Sequence, residues 1–500
     1  MRTPRPASAP IAIATVAVAL RIPAYLAVRH VSFDDGAYGA SAVAMRAGGL
    51  PFREVFSSQG PLFLPLVWLF DLLGLRTLDA PRLLAVASGL ALVLATWSAA
   101  RALRLSPLAA GVAAGLVATS GSILWVTGPL TSDGPGLALA AGAVAAALWY
   151  RRAPALGRAV LAGALLGAAL SVKSLLLAAA VPVGWALLPS RDPQPAMAGG
   201  RRWFPLAAAG AAAGAISLVV ALPWGLGNVW DQAFRYHLEA AGPRTPVRNV
   251  RKVISTLGDR DLPLVLAAVA ATALAAVARI TAGRRGAPSV GTPSAFPTDS
   301  VGFPLGVRLV GAWLATTVLI LAVEHPLWRS HASHLIPPAA LLIAAAFDRF
   351  LARTPTRPRR AIVAAGVVGV LVIPYHAVHL SEVLWPAPPG PALAAARADL
   401  RALPTGAEVI SDDPGVVWRA GRRTPDDLVD TSILRIESGR LTAASLARAA
   451  ADHRVCALLV WSHRFGDLTA LPDLLRRTGY SAGPRYGGPK VLWLRPYCAA

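Results

Sequence analysis

Long apolar stretches separated by short arginine-containing segments dominate the first three quarters of the chain. A membrane-crossing helix needs about 20 mostly apolar residues, and eleven stretches approach or reach that length. They lie near residues 8–29, 81–100, 107–127, 134–150, 158–173, 174–189, 205–225, 262–280, 309–325, 334–348 and 361–380. A twelfth apolar piece, residues 61–75, is short and flanked by proline, so it could cross the membrane, re-enter it or lie along its surface. The pattern predicts a multi-pass α-helical membrane protein with 11 or 12 transmembrane helices.

The pattern changes after the last predicted span. A Pro-rich linker over residues 385–391 leads into residues 392–500, which carry ordinary charge and only short apolar runs. Residues 408–412, 455–461 and 491–494 are typical of buried strands, and residues 441–452 and 468–478 of helices between them. We therefore expect a transmembrane domain over residues 1–384 and a separate extracytoplasmic α/β domain over residues 392–500.

Composition supports a membrane protein and excludes several other classes. Hydrophobic residues make up 55% of the chain and charged residues only 15%, which excludes a single soluble globular domain. Two cysteines, Cys456 and Cys498, are too few for a disulfide scaffold or a cysteine metal site. The sequence has no Walker motif, no GxGxxG after a strand and no nucleophile elbow, which argues against ATP-driven transport and nicotinamide chemistry.

The distribution of arginines predicts the orientation in the membrane. The net charge is +22, and 45 of the 48 basic residues are arginine, which we attribute to a GC-rich genome and not to a nucleic-acid partner. If eleven segments cross, six arginine clusters fall on one side, which the positive-inside rule makes cytoplasmic. The clusters are Arg2 and Arg5; Arg101 and Arg104; Arg151, Arg152 and Arg158; Arg191, Arg201 and Arg202; Arg279, Arg284 and Arg285; and the arginines of 349–360. We expect a cytoplasmic amino terminus, a retained first helix and an outer carboxyl terminus.

The first outer loop, residues 30–60, contains the most suggestive acidic residues. Asp34 and Asp35 stand just beyond the first span, where a carboxylate can remain ionised beside a membrane-held substrate and act as a general base. The alternative is that Asp35 caps the amphipathic helix that begins near Tyr38. Asp133, at the outer end of a later span, has the same two interpretations, a helix cap or a partner of the acidic pair.

Basic residues on the predicted outer side need an explanation other than orientation. The segment 224–262 includes Arg244 and Arg248, and arginine binds phosphate through a planar fork of donors. A phosphate of a lipid carrier is one partner that fits, and anionic lipid headgroups in general are the alternative. Lys173, between two short apolar segments, could bind the same phosphate or extend to the membrane interface.

A later outer loop, residues 324–338, contains Glu324, His325, Arg329, His331 and His334. Two histidines three positions apart could bind a metal ion, but no complete metal-binding motif is present. We therefore favour hydrogen bonding to substrate by one of these histidines. A divalent metal is not indicated, and no cofactor is expected.

Three motifs in the first outer loop carry a resemblance to a known superfamily. They are FDDGAY at 33–38, RAGGLPFRE at 46–54 and QGPL at 59–62. Together they resemble the first outer loop of the GT-C glycosyltransferases, which include the protein O-mannosyltransferases and aminoarabinose transferases and are related to glycosyltransferase family 39. The resemblance extends loosely over about 380 residues, through the helix start at Arg82, Asp133 and the loop at 331–338. Asp-Asp replaces the familiar Asp-Glu, and QGP stands where a basic residue and two prolines are common, so donor and acceptor stay open.

The resemblance implies a function and a set of site residues. Enzymes of this superfamily transfer a sugar from a polyprenyl-phosphate donor to an acceptor hydroxyl on the outer face of the membrane, with inversion. Asp34 is then expected to be the general base, with Asp35 supporting it and Asp133 arranging the site. The other expected contacts are Arg244, Lys173 and Arg248 for the donor phosphate, and Tyr38, Gln59, His331 and His334 for substrate.

Two other functions remain open from the residues. A non-enzymatic transporter or flippase for a lipid-linked glycan would also use outer arginines and interfacial acids, but it predicts more polar residues inside the spans. An assembly or sensor protein whose outer domain binds a wall component is a weaker alternative. For the glycosyltransferase we expect a bacterial cytoplasmic membrane location, membrane lipids around the chain, and a glycan, lipid or protein acceptor.

Overall fold

A computed structural model describes residues 8–188, 202–239, 242, 245–284, 305–353 and 375–498 of the chain, with the side chains of residues 8, 9, 273–284 and 353 excluded. The α-helices before residue 354 are Ser8–Ala19, Ile22–Tyr25, Phe33–Arg46, Phe63–Leu73, Leu83–Ala102, Pro107–Thr119, Gly121–Thr127, Asp133–Arg152, Leu156–Val172, Ala180–Leu187, Phe204–Ala221, Leu226–Val229, Tyr236–Glu239, Pro246–Arg284, Leu305–Val323 and Ile336–Arg353. Short 3-10 helices cover Ala80–Arg82, Ser174–Ala179, Leu222–Trp224 and Arg329–Leu335, and a π-helix covers Trp230–Arg235.

Several of these helices have the length and composition of membrane spans. Among the described residues, four helical stretches are long and apolar enough to cross: Ala80–Ala102, Phe204–Trp224, Leu305–Val323 and Arg329–Ala352. Pro107–Thr119 and Gly121–Thr127 make a fifth if this pair, bent by 60°, is one broken span. The architecture is that of a multi-pass α-helical membrane protein.

The remaining predicted spans differ from simple continuous helices. The first, 8–29, consists of two short helices, and 174–189 combines a 3-10 helix with a short α-helix. The spans at 134–150, 158–173 and 262–280 coincide with helices. Span 361–380 lies outside the described residues up to 374, as do the arginines at 1–7, 189–201, 285 and 354–360. The number of crossings therefore stays a prediction.

The apolar piece at 61–75 is too short to cross a membrane as a helix. Its helical part, Phe63–Leu73, has 11 residues, which span about 16 Å at 1.5 Å per residue against roughly 30 Å of hydrocarbon. Trp68, Leu69, Leu72 and Leu73 are exposed along it, whereas Asp71 is buried and pairs with Arg46. This distribution favours a helix lying along a surface, with one apolar side open.

Small residues allow close packing in the helical part. Four helices pack side by side in the order Leu83–Ala102, Asp133–Arg152, Leu156–Val172 and Phe204–Ala221. Gly163 and Gly167 lie directly against the backbone of Ala209 and Ala213, and a Cβ on either glycine would overlap it. A small residue at every fourth position is the usual means of bringing two membrane helices into contact.

Residues 391–498, called here the C-terminal unit, contain a four-stranded sheet. The strands are β1, Glu408–Ser411; β2, Val455–Val460; β3, Ser481–Arg485; and β4, Val491–Leu494. Their order is β1-β2-β4-β3, with β1 parallel to β2 and the other pairs antiparallel. The α-helices of the unit are Pro391–Ala402, Pro414–Arg419, Ile433–Glu437, Ala443–Ala450 and Leu471–Arg477. A disulfide joins Cys456 in β2 to Cys498.

The C-terminal unit packs on the first outer loop through the short helix Pro414–Arg419. A Cβ on Gly36 would come within 2.5 Å of Gly415, so the two backbones meet directly at this point. Trp418 is fully buried, with Gly39 facing its ring. Arg419 donates hydrogen bonds to the carbonyls of Ala27 (2.8 Å) and Val28 (2.9 Å). The loop that carries the acidic pair is therefore covered by the C-terminal unit.

Candidate active site

The acidic pair lies in the first turn of the Phe33–Arg46 helix. Ser32, and not Asp35, caps this helix: its hydroxyl accepts a hydrogen bond from the Asp35 amide at 3.2 Å. The cap interpretation of Asp35 is therefore wrong. Because Asp34 and Asp35 are adjacent on a helix, about 100° apart around its axis, their side chains point in different directions.

Asp35 is fully buried, and each of its two carboxylate oxygens accepts two hydrogen bonds. One oxygen accepts from Arg82 Nε (3.0 Å) and the Leu130 amide (3.2 Å), and the other from Arg82 Nη2 (2.6 Å) and the Val31 amide (2.9 Å). Burial alone would raise the pKa of Asp35, but the charge and hydrogen bonds of Arg82 hold it below its usual range. Asp35 has no free lone pair for a substrate, so the geometry gives it a positioning role.

The carboxylate of Asp34, unlike that of Asp35, has no hydrogen-bond partner among the described residues. Its side chain is half-buried, and within the described part of the chain its carboxylate makes no hydrogen bond or ion pair. Burial is the main cause that raises the pKa of Asp34 to about 6, and Asp133 and Asp430 raise it further. Lys173 and Arg464 act in the other direction. A carboxylate with a free lone pair and a pKa near neutrality has the properties of a general base.

Asp133 forms the centre of a second polar group in the same site. It is buried at the start of the Asp133–Arg152 helix, where Ser132 is the N-cap residue. Its Oδ1 accepts from Lys173 Nζ and from His334 Nε2, both at 2.7 Å. Its Oδ2 is buried without a hydrogen-bond partner. A buried carboxylate oxygen without a partner costs free energy, so this atom is available to a donor group of a bound substrate.

The loop at Gln59 is fixed against the C-terminal end of the Leu156–Val172 helix, just before Lys173. The amides of Gly60 and Leu62 donate to the carbonyls of Val172 (3.0 Å) and Ser171 (2.8 Å). A Cβ on Gly60 would overlap the Ser171 backbone, so this approach requires glycine. Gln59 is thereby held beside the start of the Asp133–Arg152 helix.

Two other predicted substrate residues adjoin Asp133 through Ser132. Gln59 Oε1 accepts from the Ser132 hydroxyl at 2.8 Å, and the Ser132 side chain also acts on the pKa of the Tyr38 phenol, which it lowers. Burial, with the charges of Asp34 and its acidic neighbours, raises the pKa of Tyr38 well above its usual range. The phenol is therefore neutral and can donate a hydrogen bond.

The two histidines of the later outer loop are buried side by side. Their ring centroids are 6.1 Å apart, and only His334 bonds to Asp133. His331 Nδ1 accepts from the Trp328 amide at 3.4 Å. Among the described residues there is no group of three or more His, Cys, Asp or Glu side chains arranged to hold a metal ion.

The structure describes two of the three predicted phosphate contacts, Lys173 and Arg248, and of these only Lys173 contacts Asp133. Lys173 is in the site, where its ammonium group uses one of its three protons on Asp133. Arg248 is exposed near the start of the Pro246–Arg284 helix, and no hydrogen bond or ion pair of the described residues links it to Asp34 or Asp133. Arg244 lies outside the described residues.

Comparison with solved structures shows what the whole arrangement resembles. ArnT from Cupriavidus metallidurans, in a crystal structure bound to undecaprenyl phosphate, matches with a TM-score of 0.59 and 15% identity over 97% of both chains. The chain has the GT-C fold. An oligosaccharyltransferase from Archaeoglobus fulgidus, crystallised with Zn and sulfate, matches 98% of this chain and 73% of its own length, with a TM-score of 0.53 and 13% identity. The mycobacterial arabinofuranosyltransferase AftD matches over 97% of this chain but 41% of its own, with a TM-score of 0.50 and 17% identity.

The similarity is one of structure and is not detectable in family comparisons of the sequence. No protein-family model matches the chain, and no curated protein matches it significantly. The predicted resemblance to the GT-C superfamily is nevertheless confirmed at the level of the fold.

The candidate site also includes residues that sequence reasoning missed. Asp430 and Arg464, from the C-terminal unit, both act electrostatically on Asp34, and His237 Nε2 bonds the Ser58 carbonyl at 2.8 Å. Arg464 lies 4.0 Å from the ring centroid of Phe33, the residue before Asp34. The resemblance covered only the first 380 or so residues, and no local motif marks Asp430 or Arg464.

Proposed function

We propose that this chain is a membrane glycosyltransferase that transfers a sugar from a polyprenyl-phosphate donor to an acceptor hydroxyl, with Asp34 as general base. The observation that carries the proposal is the Asp34 carboxylate, free of hydrogen bonds and with a raised pKa, beside the Lys173–Asp133–His334 group. The fold supports it, because ArnT has the same fold and was crystallised with undecaprenyl phosphate.

The proposed reaction is a single displacement with inversion. The acceptor hydroxyl oxygen attacks the anomeric carbon while Asp34 takes the hydroxyl proton. The bond from the anomeric carbon to the phosphate oxygen breaks, and the electron pair leaves with the polyprenyl phosphate. A base with a pKa near 6 is mostly ionised at neutral pH and still accepts a proton readily.

The leaving phosphate needs positive charge placed in advance. Lys173 is half-buried beside Asp133 and has two ammonium protons free for phosphate oxygens. Fixed donors at the position where negative charge develops are usually the largest single contribution to catalysis. Arg244 and Arg248 remain proposed donor contacts by sequence only.

Tyr38, Gln59, Asp133 and His334 are proposed to bind the sugar or the acceptor. The neutral Tyr38 phenol is a donor, and Asp133 Oδ2 is an acceptor without a partner. Sugar hydroxyls both donate and accept, so such a mixed set suits them. His331, buried behind Trp328, is proposed for the same role. The reaction as proposed uses no cofactor or metal and is expected to proceed in the presence of a chelator.

The site is proposed to face the outside of the cytoplasmic membrane. Arginine asymmetry along the sequence predicts this orientation. The Cys456–Cys498 disulfide agrees with it, because disulfides persist mainly in oxidising compartments. The acceptor, a glycan, lipid or protein hydroxyl, would then reach the site from the side of the C-terminal unit.

The test is transfer of radiolabelled sugar from a panel of polyprenyl-phosphate donors in membrane vesicles. Vesicles with the wild-type chain should label an endogenous acceptor, and vesicles with Asp34→Asn at equal expression should not. Absence of transfer with every donor, together with movement of the labelled lipid between leaflets, would overturn the proposal in favour of a flippase.

A further inference from the structure

A chain of hydrogen bonds connects the C-terminal unit to the active site. The Ser58 hydroxyl donates to Asp430 Oδ2 at 3.0 Å, and Gln59 Nε2 donates to the Ser58 hydroxyl at 3.3 Å. The Ser132 hydroxyl donates to Gln59 Oε1 at 2.8 Å. These hydrogen bonds therefore run from Asp430 to Ser132, the N-cap residue of the Asp133–Arg152 helix, which directly precedes Asp133.

Asp430 is itself held rigidly. It is 6% exposed, and its Oδ1 accepts from the Ser432 amide at 3.0 Å. Arg435 donates to the Asp430 carbonyl at 2.8 Å, and the Thr431 hydroxyl donates to the carbonyl of Ser411, at the end of β1, at 2.9 Å. The sheet therefore fixes the position of this carboxylate.

Specific polar contacts also hold the C-terminal unit against the segment 224–262 near Asp430. Arg440 forms ion pairs with Asp231 (2.8 Å) and Glu239 (2.8 Å) of the outer segment, and the Tyr236 hydroxyl bonds the Ser432 hydroxyl at 3.0 Å. The second of these contacts involves Ser432, whose amide donates to Asp430. The contacts show that Asp430 is presented to the site by a built interface.

We propose that Asp430 is a positioning residue of the active site, which holds the Ser58–Gln59–Ser132 chain in place and supplies a third carboxylate beside Asp34 and Asp133. The inference deepens the proposed function and rests on it for the reaction that Asp34 performs. It assigns to the C-terminal unit a part in completing the site, beyond covering it.

The charge of Asp430 has a defined effect on Asp34. The charged groups that act on Asp34 are Lys173 and Asp133 from the helical part, and Asp430 and Arg464 from the C-terminal unit. Asp430 favours the protonated form of Asp34, as Asp133 does, and the two cations favour the ionised form. Removing the Asp430 charge should therefore make Asp34 more acidic and a weaker base.

The test is a titration of Asp34 that needs no substrate. The protonated Asp34 carboxyl is followed by infrared difference spectroscopy of the purified full chain in lipid, and its band is the one lost in Asp34→Asn. Asp430→Asn removes the charge and keeps one oxygen for the Ser432 amide, while its NH2 group can donate to the Ser58 hydroxyl. Asp430→Glu keeps the charge, and Asp473→Asn removes an exposed carboxylate of the same unit. Asp430→Ser removes the charge with a smaller side chain, should the asparagine variant not fold.

The expected result is a shift of the Asp34 titration to lower pH in Asp430→Asn or Asp430→Ser, with Asp430→Glu and Asp473→Asn unchanged. A merely structural role would lower stability without moving this titration. A folded neutral variant in which Asp34 titrates as in the wild type would overturn the inference.

Failure of the proposed function looks different. In that case the Asp34→Asn variant still transfers sugar, or the wild type transfers sugar from none of the donors, whatever the pH at which Asp34 titrates.

Discussion

The buried pair of Asp35 and Arg82 gives the sharpest stability prediction. The variant Asp35→Asn keeps the size of the side chain and removes its charge. An amide has only one oxygen, so its NH2 group must face one of two pairs of donors. These pairs are Arg82 Nη2 with the Val31 amide, and Arg82 Nε with the Leu130 amide. The Arg82 guanidinium, 0% exposed, then loses its close counter-charge. It keeps backbone carbonyls such as those of Ala27 and Arg29, and the more distant carboxylate of Asp79 at 3.6 Å, which also pairs with Arg419.

The magnitude follows from this geometry. Removing one partner of a fully buried ion pair costs about 3–5 kcal/mol when the remaining charge is uncompensated. Because Asp79 is partly exposed, 3.6 Å away and shared with Arg419, it offsets only part of this cost, and we expect the lower end of the range, about 3 kcal/mol. That is a large part of the roughly 5–15 kcal/mol by which folded proteins are stable. The exposed pair of Asp473 and Arg476, by contrast, should contribute no more than about 1 kcal/mol.

The assay is unfolding of the purified protein in detergent, monitored by tryptophan fluorescence. The variants are Asp35→Asn, the control Asp473→Asn, and Asp35→Leu and Arg82→Met singly and together as a double-mutant cycle. We expect a large loss for each single variant at the buried pair, a loss smaller than their sum for the double variant, and no change for the control. If Asp35→Asn were as stable as the wild type yet inactive in transfer, Asp35 would act in the chemistry and the positioning role would be refuted.

Three further predictions concern other parts of the molecule. Because the base works ionised and the pKa of Asp34 is about 6, transfer at saturating substrate should fall about tenfold from pH 7 to pH 5; a flat profile in this range would contradict the assignment. Cys456→Ser and Cys498→Ser should each destabilise the C-terminal unit by about 4 kcal/mol, from the entropy of the loop that the disulfide closes. Thermal unfolding should show no further loss in the double variant, and additive losses would contradict a disulfide between the two residues. Gly39→Ala should cost about 1–3 kcal/mol by overpacking against the Trp418 ring; wild-type stability would show that this contact is looser than described.

The sequence predicted the features that depend on local patterns. Apolar runs of adequate length indicated most of the helices, and short buried runs indicated β1, β2 and β4. Strand β3, Ser481–Arg485, was missed because it is mostly exposed and contains glycine and proline, so neither apolar alternation nor strand propensity marks it. The apolar piece at 61–75 was left open because its composition fits a span and only its length as a helix excludes one.

Only the part of the site that lies in the first outer loop could be predicted from the sequence. Asp34 stands in a recognisable motif, but its difference from Asp35 depends on Arg82, which is 47 residues away. The group around Asp133 brings together Lys173 and His334 across 40 and 201 residues. Ser58 and Asp430 are 372 residues apart. Periodicity and spacing report on neighbours within a few residues, so contacts at these separations need the folded chain.

The most direct test of the central claim separates binding from chemistry in Asp34→Asn. The purified chain is reconstituted in proteoliposomes, binding of polyprenyl phosphate is measured, and transfer from polyprenyl-phosphate-linked sugars is followed in a single turnover. We predict unchanged binding and a loss of transfer of about 10²–10⁴-fold, the usual contribution of a general base. Wild-type transfer rates in Asp34→Asn, at equal binding, would contradict the account.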